Sequence, residues 1–224
     1  MIGFRICKRH RAVSSDIVEK FKTLPVANVS DSMSRMTAAG HRLRPMHAGG
    51  VLAGPALTVK TRPGDNLMLH KAIDLAQPGD IIVCDGGGEL TNALIGEMMI
   101  SHAIKRRLGG VVINGAIRDA AALRAGSFPV FAAGVSHRGP YKDGPGEINV
   151  PIAINGMVIE PGDLILGDDD GLVCVPFDHT TEVLAATEAK QAAETKQMAA
   201  IAAGTWERGW IDATLKRLGC SIES

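Results

Sequence analysis

Three side chains in this 224-residue sequence have the types and spacing for work on a small anion: Glu97, Arg118 and Asp119. Arg118 and Asp119 follow the apolar run 110–114 and a short loop, 115–117, and Asp119 opens DAAALRA, which has helical character. That position is the carboxyl end of a strand just before a helix start. Open α/β sheets form their ligand crevice there, and the helix N–H groups favour anions. Arg can grip a carboxylate through two parallel hydrogen bonds, while Asp and Glu supply the hard oxygen ligands that Mg²⁺ or Mn²⁺ prefer. Glu97 falls in NALIGEMMISHAIKRRL, which reads as one helix with Ala93, Ile100, Ile104 and Leu108 on the face of Glu97. Such a carboxylate would lie on an apolar stripe and need a partner. An Arg-Asp pair at a helix start also suits a bland role, a cap with a surface ion pair.

Competing chemistries have weaker support. A Schiff base needs a desolvated lysine with a lowered pKa. Lys60 and Lys71 are the lysines in apolar segments, and each can extend to solvent from an amphipathic element. The seven histidines show no paired metal spacing. His102 reads as a polar-face residue, and His137 and Arg138, in SHRGPYKDG, could line a site mouth but read first as a surface turn. Cys7, Cys84, Cys174 and Cys220 are far apart, which suggests reduced thiols and no zinc or disulfide framework. DGGGE at 85–89 lacks the spacing of a dinucleotide loop. The triplet Asp168, Asp169, Asp170 lacks the alternating ligands of a calcium loop and reads as a hairpin turn with Asp170-Gly171 at its tip.

The elements that must position these residues follow from periodicity. SSDIVEKFKTLP and VANVSDSMSRM read as two helices, and VLAGPALTVKTRPGDN as a strand ending in a Pro-Gly turn. From residue 67 helices and strands alternate: LMLHKAIDLAQ, DIIVCD, the Glu97 segment, GVVING, DAAALRA, PVFAAGV. This alternation predicts an α/β domain with a mainly parallel sheet. Between 139 and 176 short runs separated by Gly, Pro and Asp predict antiparallel strands. Residues 178–224 are Ala-rich and charged, with breaks near Gly204 and Gly209, so we divide the chain into a domain at 1–177 and a helical extension at 178–224 that packs on a neighbouring subunit.

Twenty-four basic and 24 acidic residues leave no net field to attract nucleic acid or anionic lipid, and aromatics at 4% leave few platforms for base stacking. The basic start lacks a secretory apolar core, and no window approaches a membrane span, so a soluble, cytoplasmic chain is expected.

Glu97, twenty intervening residues, then Arg118-Asp119 resembles the signature of the RraA-like superfamily, which includes 4-hydroxy-4-methyl-2-oxoglutarate and 4-carboxy-4-hydroxy-2-oxoadipate aldolases. VSDSM, GPALTVKTRPGDN, PGDIIVCDGGG and GPGEINVPIAINGMVIEPGDLILGDDDGLVCVP are similar to further family blocks, in family order. The resemblance implies a three-layer β/β/α swivelling-domain-like sandwich, assembled as a homotrimer or homohexamer with sites between subunits. It further implies a divalent metal held directly by Asp119 and through water by Glu97, with Arg118 on the pyruvyl part of the substrate. Gly96 and the backbone amides of Met98 and Met99 would bind the substrate carboxylate. A tail Glu from the adjacent subunit would complete the site, Glu194 by position, with Glu188 behind it. The implied activity is a class II aldolase that cleaves a 4-hydroxy-2-oxo dicarboxylic or tricarboxylic acid to pyruvate and a second oxo acid, with oxaloacetate decarboxylation through the same enolate. Other family members are regulators that bind ribonuclease E, which is the alternative. Ile95, Met98 and Met99 depart from the aldolase pattern, where an aromatic residue and leucines are common.

Overall fold

The computed structural model describes residues 2–222. In chain order the elements are β1 (Phe4–Ile6), α1 (Ser15–Phe21), α2 (Val26–Ser32), β2 (Arg44–Pro45), β3 (Leu52–Thr61), α3 (Leu67–Leu75), β4 (Ile81–Asp85), β5 (Ala93–Ile95), α4 (Glu97–Lys105), β6 (Gly110–Ile117), α5 (Ala120–Ala125), β7 (Val130–Val135), β8 (Gly146–Ile148), β9 (Ile152–Ile154), β10 (Met157–Ile159), β11 (Leu164–Asp168), β12 (Gly171–Val175), a 3₁₀ turn (Phe177–His179), α6 (Thr180–Ala202) and α7 (Trp210–Arg217).

Strands β3, β4, β6 and β7 lie side by side and parallel, as the helix-strand alternation predicts. Their residues are apolar on both faces, the pattern of a sheet covered on both sides. In β4, Ile82 and Cys84 pack with Met68, Leu69 and Ile73 of α3 and Ile100 of α4. Ile81 and Val83, pointing the other way, pack with Ile152, Ile154, Met157, Ile159 and Ile165 of the antiparallel hairpins. The two-residue side-chain period of a strand thus serves two cores at once. Long β3 links the layers, pairing with β11 through residues 52–55 and with β4 and β8 beyond them. Outside β11 and β12 a third core gathers Phe21 of α1, Val29 of α2 and Val183 and Leu184 of α6. The result is the α/β sandwich expected: helices α3 to α5, the mixed sheet, then the hairpin layer.

The β9–β10 hairpin turns at Asn155-Gly156, with φ of 49° and 86°. Asn-Gly is the pair that best tolerates positive φ at both central positions of such a turn. In the β11–β12 hairpin Asp168 pairs with Gly171, so its tip is Asp169-Asp170, one residue earlier than expected.

Two further expectations are corrected around Glu97. The segment read as one helix is strand β5 followed by α4, so Ala93 is not on the helix face of Glu97. Glu97 is the first helical residue and is exposed, not set in an apolar stripe. The apolar run Ala93-Leu94-Ile95 satisfies either period, a known ambiguity of short apolar runs. The loop expected at 115–117 is instead the last part of β6, beyond an irregularity between Ile113 and Ala116, so Arg118 follows the strand directly.

The chain's two compact units divide between Thr187 and Glu188, inside α6. The root of α6, with Thr180, Val183, Leu184 and Thr187 buried, belongs to the first unit. Among the described residues no helix is long and apolar enough to cross a membrane.

Candidate active site

Strand β5 runs parallel to the end of β6, with Ala93 opposite Ala116 and Ile95 opposite Ile117, and the Arg118 N–H donates to the Ile95 carbonyl at 2.9 Å. This short pairing brings the segment after β5, Gly96-Glu97, against the segment after β6, Arg118-Asp119. The Asp119 carboxylate Oδ2 accepts the backbone N–H of Glu97 at 2.9 Å. Asp119 stands at the N-cap of α5, yet its side chain makes no cap hydrogen bond to that helix. It is held left-handed, at φ 55°, and caps the neighbouring helix α4 instead. Non-glycine residues in that region cost on the order of 1 kcal/mol or more, a strain that clusters at functional sites. The bland reading of Asp119 as an ordinary helix-start cap therefore fails on geometry.

Gly96 is required by space. A Cβ there would overlap Asp119 Oδ2 and stand 2.8 Å from Arg118 Cγ and 3.1 Å from Arg118 Nε. Arg118 Nε lies 3.7 Å from Asp119 Oδ2, and among the described residues the guanidinium makes no hydrogen bond. Its donors are free for an anion. At the start of α4 the N–H groups of Met98 and Met99 have no intrahelical acceptor, as at any helix N-terminus. Met98 is exposed at 82%.

A cavity of about 340 Å³ opens beside this junction. Leu94, Ile95, Met98, Met99 and Pro140 form its apolar wall, and Asn66, His70, Gly96, Arg118 and Lys142 supply its polar groups; none of the described lining residues is acidic. Asn66, His70 and Lys142 are additions that sequence reasoning missed. Asn66 and His70 are one helical turn apart at the start of α3, and Lys142 arrives from the loop after β7. Asn66 donates through Nδ2 to the Leu94 carbonyl at 2.8 Å and contacts Met99 Sδ, leaving its buried Oδ1 without a partner. An unsatisfied buried acceptor in a native site calls for a ligand or water. Burial, then the charge of Lys142, lowers the pKa of His70 below its ordinary value, with Asp74 opposing. A smaller cavity of about 290 Å³ holds Arg118, Asp119, Ser136 and His137, so His137 does reach the site mouth. Glu97 lines a third recess with Ile100, Ile104 and Phe128, on the far side of its helix start. Its carboxylate makes no hydrogen bond or ion pair among the described residues.

Among the described residues no three His, Cys, Asp or Glu side chains cluster as a metal cage. Mg²⁺ needs no such cage, since it keeps several waters and takes one or two carboxylates. Asp119, with Oδ1 uncommitted, fits that manner of binding as a direct ligand, while the carboxylate of Glu97 lines the neighbouring recess and would reach such an ion only through water.

The RraA-like family, described as Aldolase/RraA, matches residues 26–174. A Halalkalibacterium halodurans protein named "Putative 4-hydroxy-4-methyl-2-oxoglutarate aldolase" is 38% identical over 83% of this chain and 89% of its own length. The chain belongs to the RraA-like family. Among solved structures, an uncharacterized protein from Pseudomonas syringae pv. tomato superposes with a TM-score of 0.78 at 25% identity, covering 87% of this chain and 96% of that one. The RNA-processing inhibitor RraA of Thermus thermophilis superposes with a TM-score of 0.63 at 29% identity, over 68% of this chain and 92% of that one. The RraA-like match includes Gly96, Glu97, Arg118 and Asp119 but stops before Glu194. Glu194 lies in the second compact unit, where Lys190 pairs with it at 3.0 Å.

Proposed function

We propose that this chain is a divalent-metal-dependent carbon–carbon lyase of the cytoplasm that releases pyruvate from a 4-hydroxy-2-oxo dicarboxylic or tricarboxylic acid and also decarboxylates oxaloacetate. The observation that carries the reading is the junction itself: an open Arg118-Asp119 pair, locked to the start of α4, beside an apolar cavity with cationic groups and no acid. The name of the Halalkalibacterium relative supports the same chemistry.

Asp119 would hold Mg²⁺ or Mn²⁺ directly and Glu97 through water. When bound, the cation supplies Lewis acidity toward the 2-oxo group. The N–H groups of Met98 and Met99, with Gly96 giving the room, take the substrate carboxylate. Arg118 faces the 2-oxo oxygen, where negative charge grows as the C3–C4 bond breaks and its electron pair stays on C3. A base must remove the C4 hydroxyl proton; we assign this to water polarised by Glu97 or by Glu194 of a neighbouring copy. That role for Glu194 requires a trimer or hexamer in which the extension, 178–224, reaches the adjacent site. Met198, Ile201, Trp210 and Leu218, all exposed, are consistent with such packing. A stable monomer in light scattering at micromolar concentration would remove Glu194 from the mechanism.

The deciding experiment is a coupled assay for pyruvate from 4-hydroxy-4-methyl-2-oxoglutarate and from oxaloacetate, before and after exhaustive chelation and after readdition of Mg²⁺ or Mn²⁺. Metal-dependent release is expected; full activity after chelation would sink the metal role. The Thermus neighbour is named an RNA-processing inhibitor, which supports a second reading of this chain, a non-catalytic regulator that binds ribonuclease E. Absence of pyruvate release from both acids, together with measurable binding to ribonuclease E, would establish that reading instead.

A further inference from the structure

We propose that Lys142, with His70 beside it, binds the second carboxylate of the substrate and thereby commits the site to aldol cleavage over oxaloacetate decarboxylation. The inference rests on the lyase reading above and adds what selects between its two reactions.

Two cationic side chains line the cavity, Arg118 and Lys142. Arg118 Nη1 lies 3.5 Å from the position a Cβ on Gly139 would take. From Gly139 the chain passes through Pro140 along the cavity wall to Lys142. His70, from α3, lies within electrostatic reach of Lys142, whose charge helps to depress its pKa. Among the described residues Lys142 makes no hydrogen bond or ion pair, and it is exposed, so its ammonium has no structural partner to satisfy. With no acid in the lining, a ligand that neutralises both side chains carries two anionic groups, and its apolar part would face Ile95, Met98 and Met99. A 4-hydroxy-2-oxo dicarboxylate has that shape.

The two reactions treat that second carboxylate differently. In aldol cleavage the C3–C4 bond breaks, its electron pair stays on C3 as the pyruvate enolate, the C4 hydroxyl loses its proton, and C4 becomes the carbonyl of the second product. The distal carboxylate keeps its charge throughout, so a cation that binds it positions the substrate without opposing the chemistry. In oxaloacetate the group beyond C3 is the carboxylate that departs: the same bond breaks, the pair stays on C3, and C4 leaves as neutral CO₂. A cation paired with that carboxylate stabilises the ground state more than the transition state and retards the step. One contact therefore favours cleavage and disfavours decarboxylation.

The test compares Lys142→Met and Lys142→Arg with the wild-type protein, measuring kcat/KM for 4-hydroxy-4-methyl-2-oxoglutarate cleavage and for oxaloacetate decarboxylation, corrected for the enzyme-free rate. Loss of one charge-assisted contact predicts that Lys142→Met lowers the cleavage-to-decarboxylation ratio about 10- to 100-fold, with decarboxylation raised, while Lys142→Arg keeps the ratio near wild type. Cleavage of 4-hydroxy-2-oxopentanoate, which lacks the second carboxylate, should be poor in the wild type and insensitive to Lys142→Met. Equal losses on both dicarboxylates, or an unchanged ratio, would overturn the proposal while leaving the lyase reading intact. No pyruvate from any substrate with the wild-type protein would end both.

Discussion

Two Arg-Asp pairs at opposite ends of the central sheet show how similar side chains become either structure or site. Near the amino end of β4, Arg9 Nη1 donates to Asp80 Oδ1 at 2.8 Å, and Asp80 Oδ2 accepts the Gln77 N–H at 2.8 Å; the side chains are 16% and 2% exposed. Asp163 repeats the arrangement in the turn Pro161-Gly162-Asp163, taking the Glu160 N–H at 2.8 Å, with Arg11 3.7 Å away. After β6, Arg118 and Asp119 are also 3.7 Å apart, but 43% and 40% exposed, with the Arg donors and one Asp oxygen uncommitted. At Asp80 both carboxylate oxygens are used by the fold. At Asp119 one is used, to join two elements, and one remains for a ligand. What separates the pairs is capacity left over, which sequence alone cannot show.

This contrast predicts opposite phenotypes. Asp80→Ala strands a half-buried guanidinium and removes the acceptor of its turn, so stability should fall by about 3 kcal/mol, near the low end for breaking a buried pair because Arg9 keeps some water. Urea denaturation checks this, and the folded fraction should retain wild-type kcat. Asp119→Ala should do the reverse: a stability change of about 1 kcal/mol or less, with turnover and metal affinity falling together by more than about 100-fold. If Asp119→Ala unfolded the chain while Asp80→Ala destroyed activity without destabilising it, the assignment of the two pairs would be inverted.

The elements that carry the two pairs are largely legible in the sequence, and the exceptions have physical causes. The Pro-Gly turn after β3, the parallel strands and the placement of Arg118-Asp119 after a strand follow from local periodicity and turn chemistry. Exposure of Glu97 did not, because β5 is three residues long and its apolar run fits a helix equally well. Asn66, His70 and Lys142 were missed because their convergence is tertiary. Asn66 sits at a helix start, where asparagine is ordinary, and only the orphaned Oδ1 marks it out. Lys142 belongs to the loop of His137 and Arg138, and nothing in its local sequence sets it apart from a surface lysine.

Replacing the arginines sharpens the comparison at smaller scale. Arg118→Lys keeps charge but loses the planar fork, and lysine is not equivalent where two-point recognition matters. If Arg118 contacts the carboxylate and the developing enolate, kcat and kcat/KM should both fall by about 100-fold while metal titrations stay near normal. A change confined to KM would reduce Arg118 to a ground-state anchor. Arg9→Lys, by contrast, should cost a little stability and leave kinetics untouched.

The smallest effect expected is electrostatic and belongs to the open region. Burial first, and Lys142 second, lower the pKa of His70 from its ordinary 6.5. Above that pH the ring is neutral in both folded and unfolded chains and contributes no slope. As pH falls through 6.5 the unfolded chain binds a proton that the folded chain declines, so the folded state loses stability until the lowered folded-state pKa is passed. His70 is only partly covered, and solvent screening should hold the loss to about 0.5 kcal/mol or less. His70→Gln removes the slope, so wild type and variant should differ in melting temperature by a slightly different amount at pH 5 than at pH 8. The cause can be isolated by following the His70 Cε1 proton by NMR: Lys142→Met removes the second depressing charge and should move the titration midpoint upward, whereas Asp80→Asn, at the closed pair, should leave it where it is. A midpoint unmoved by Lys142→Met would mean that burial alone sets the His70 pKa, and that the two cationic groups do not share one field.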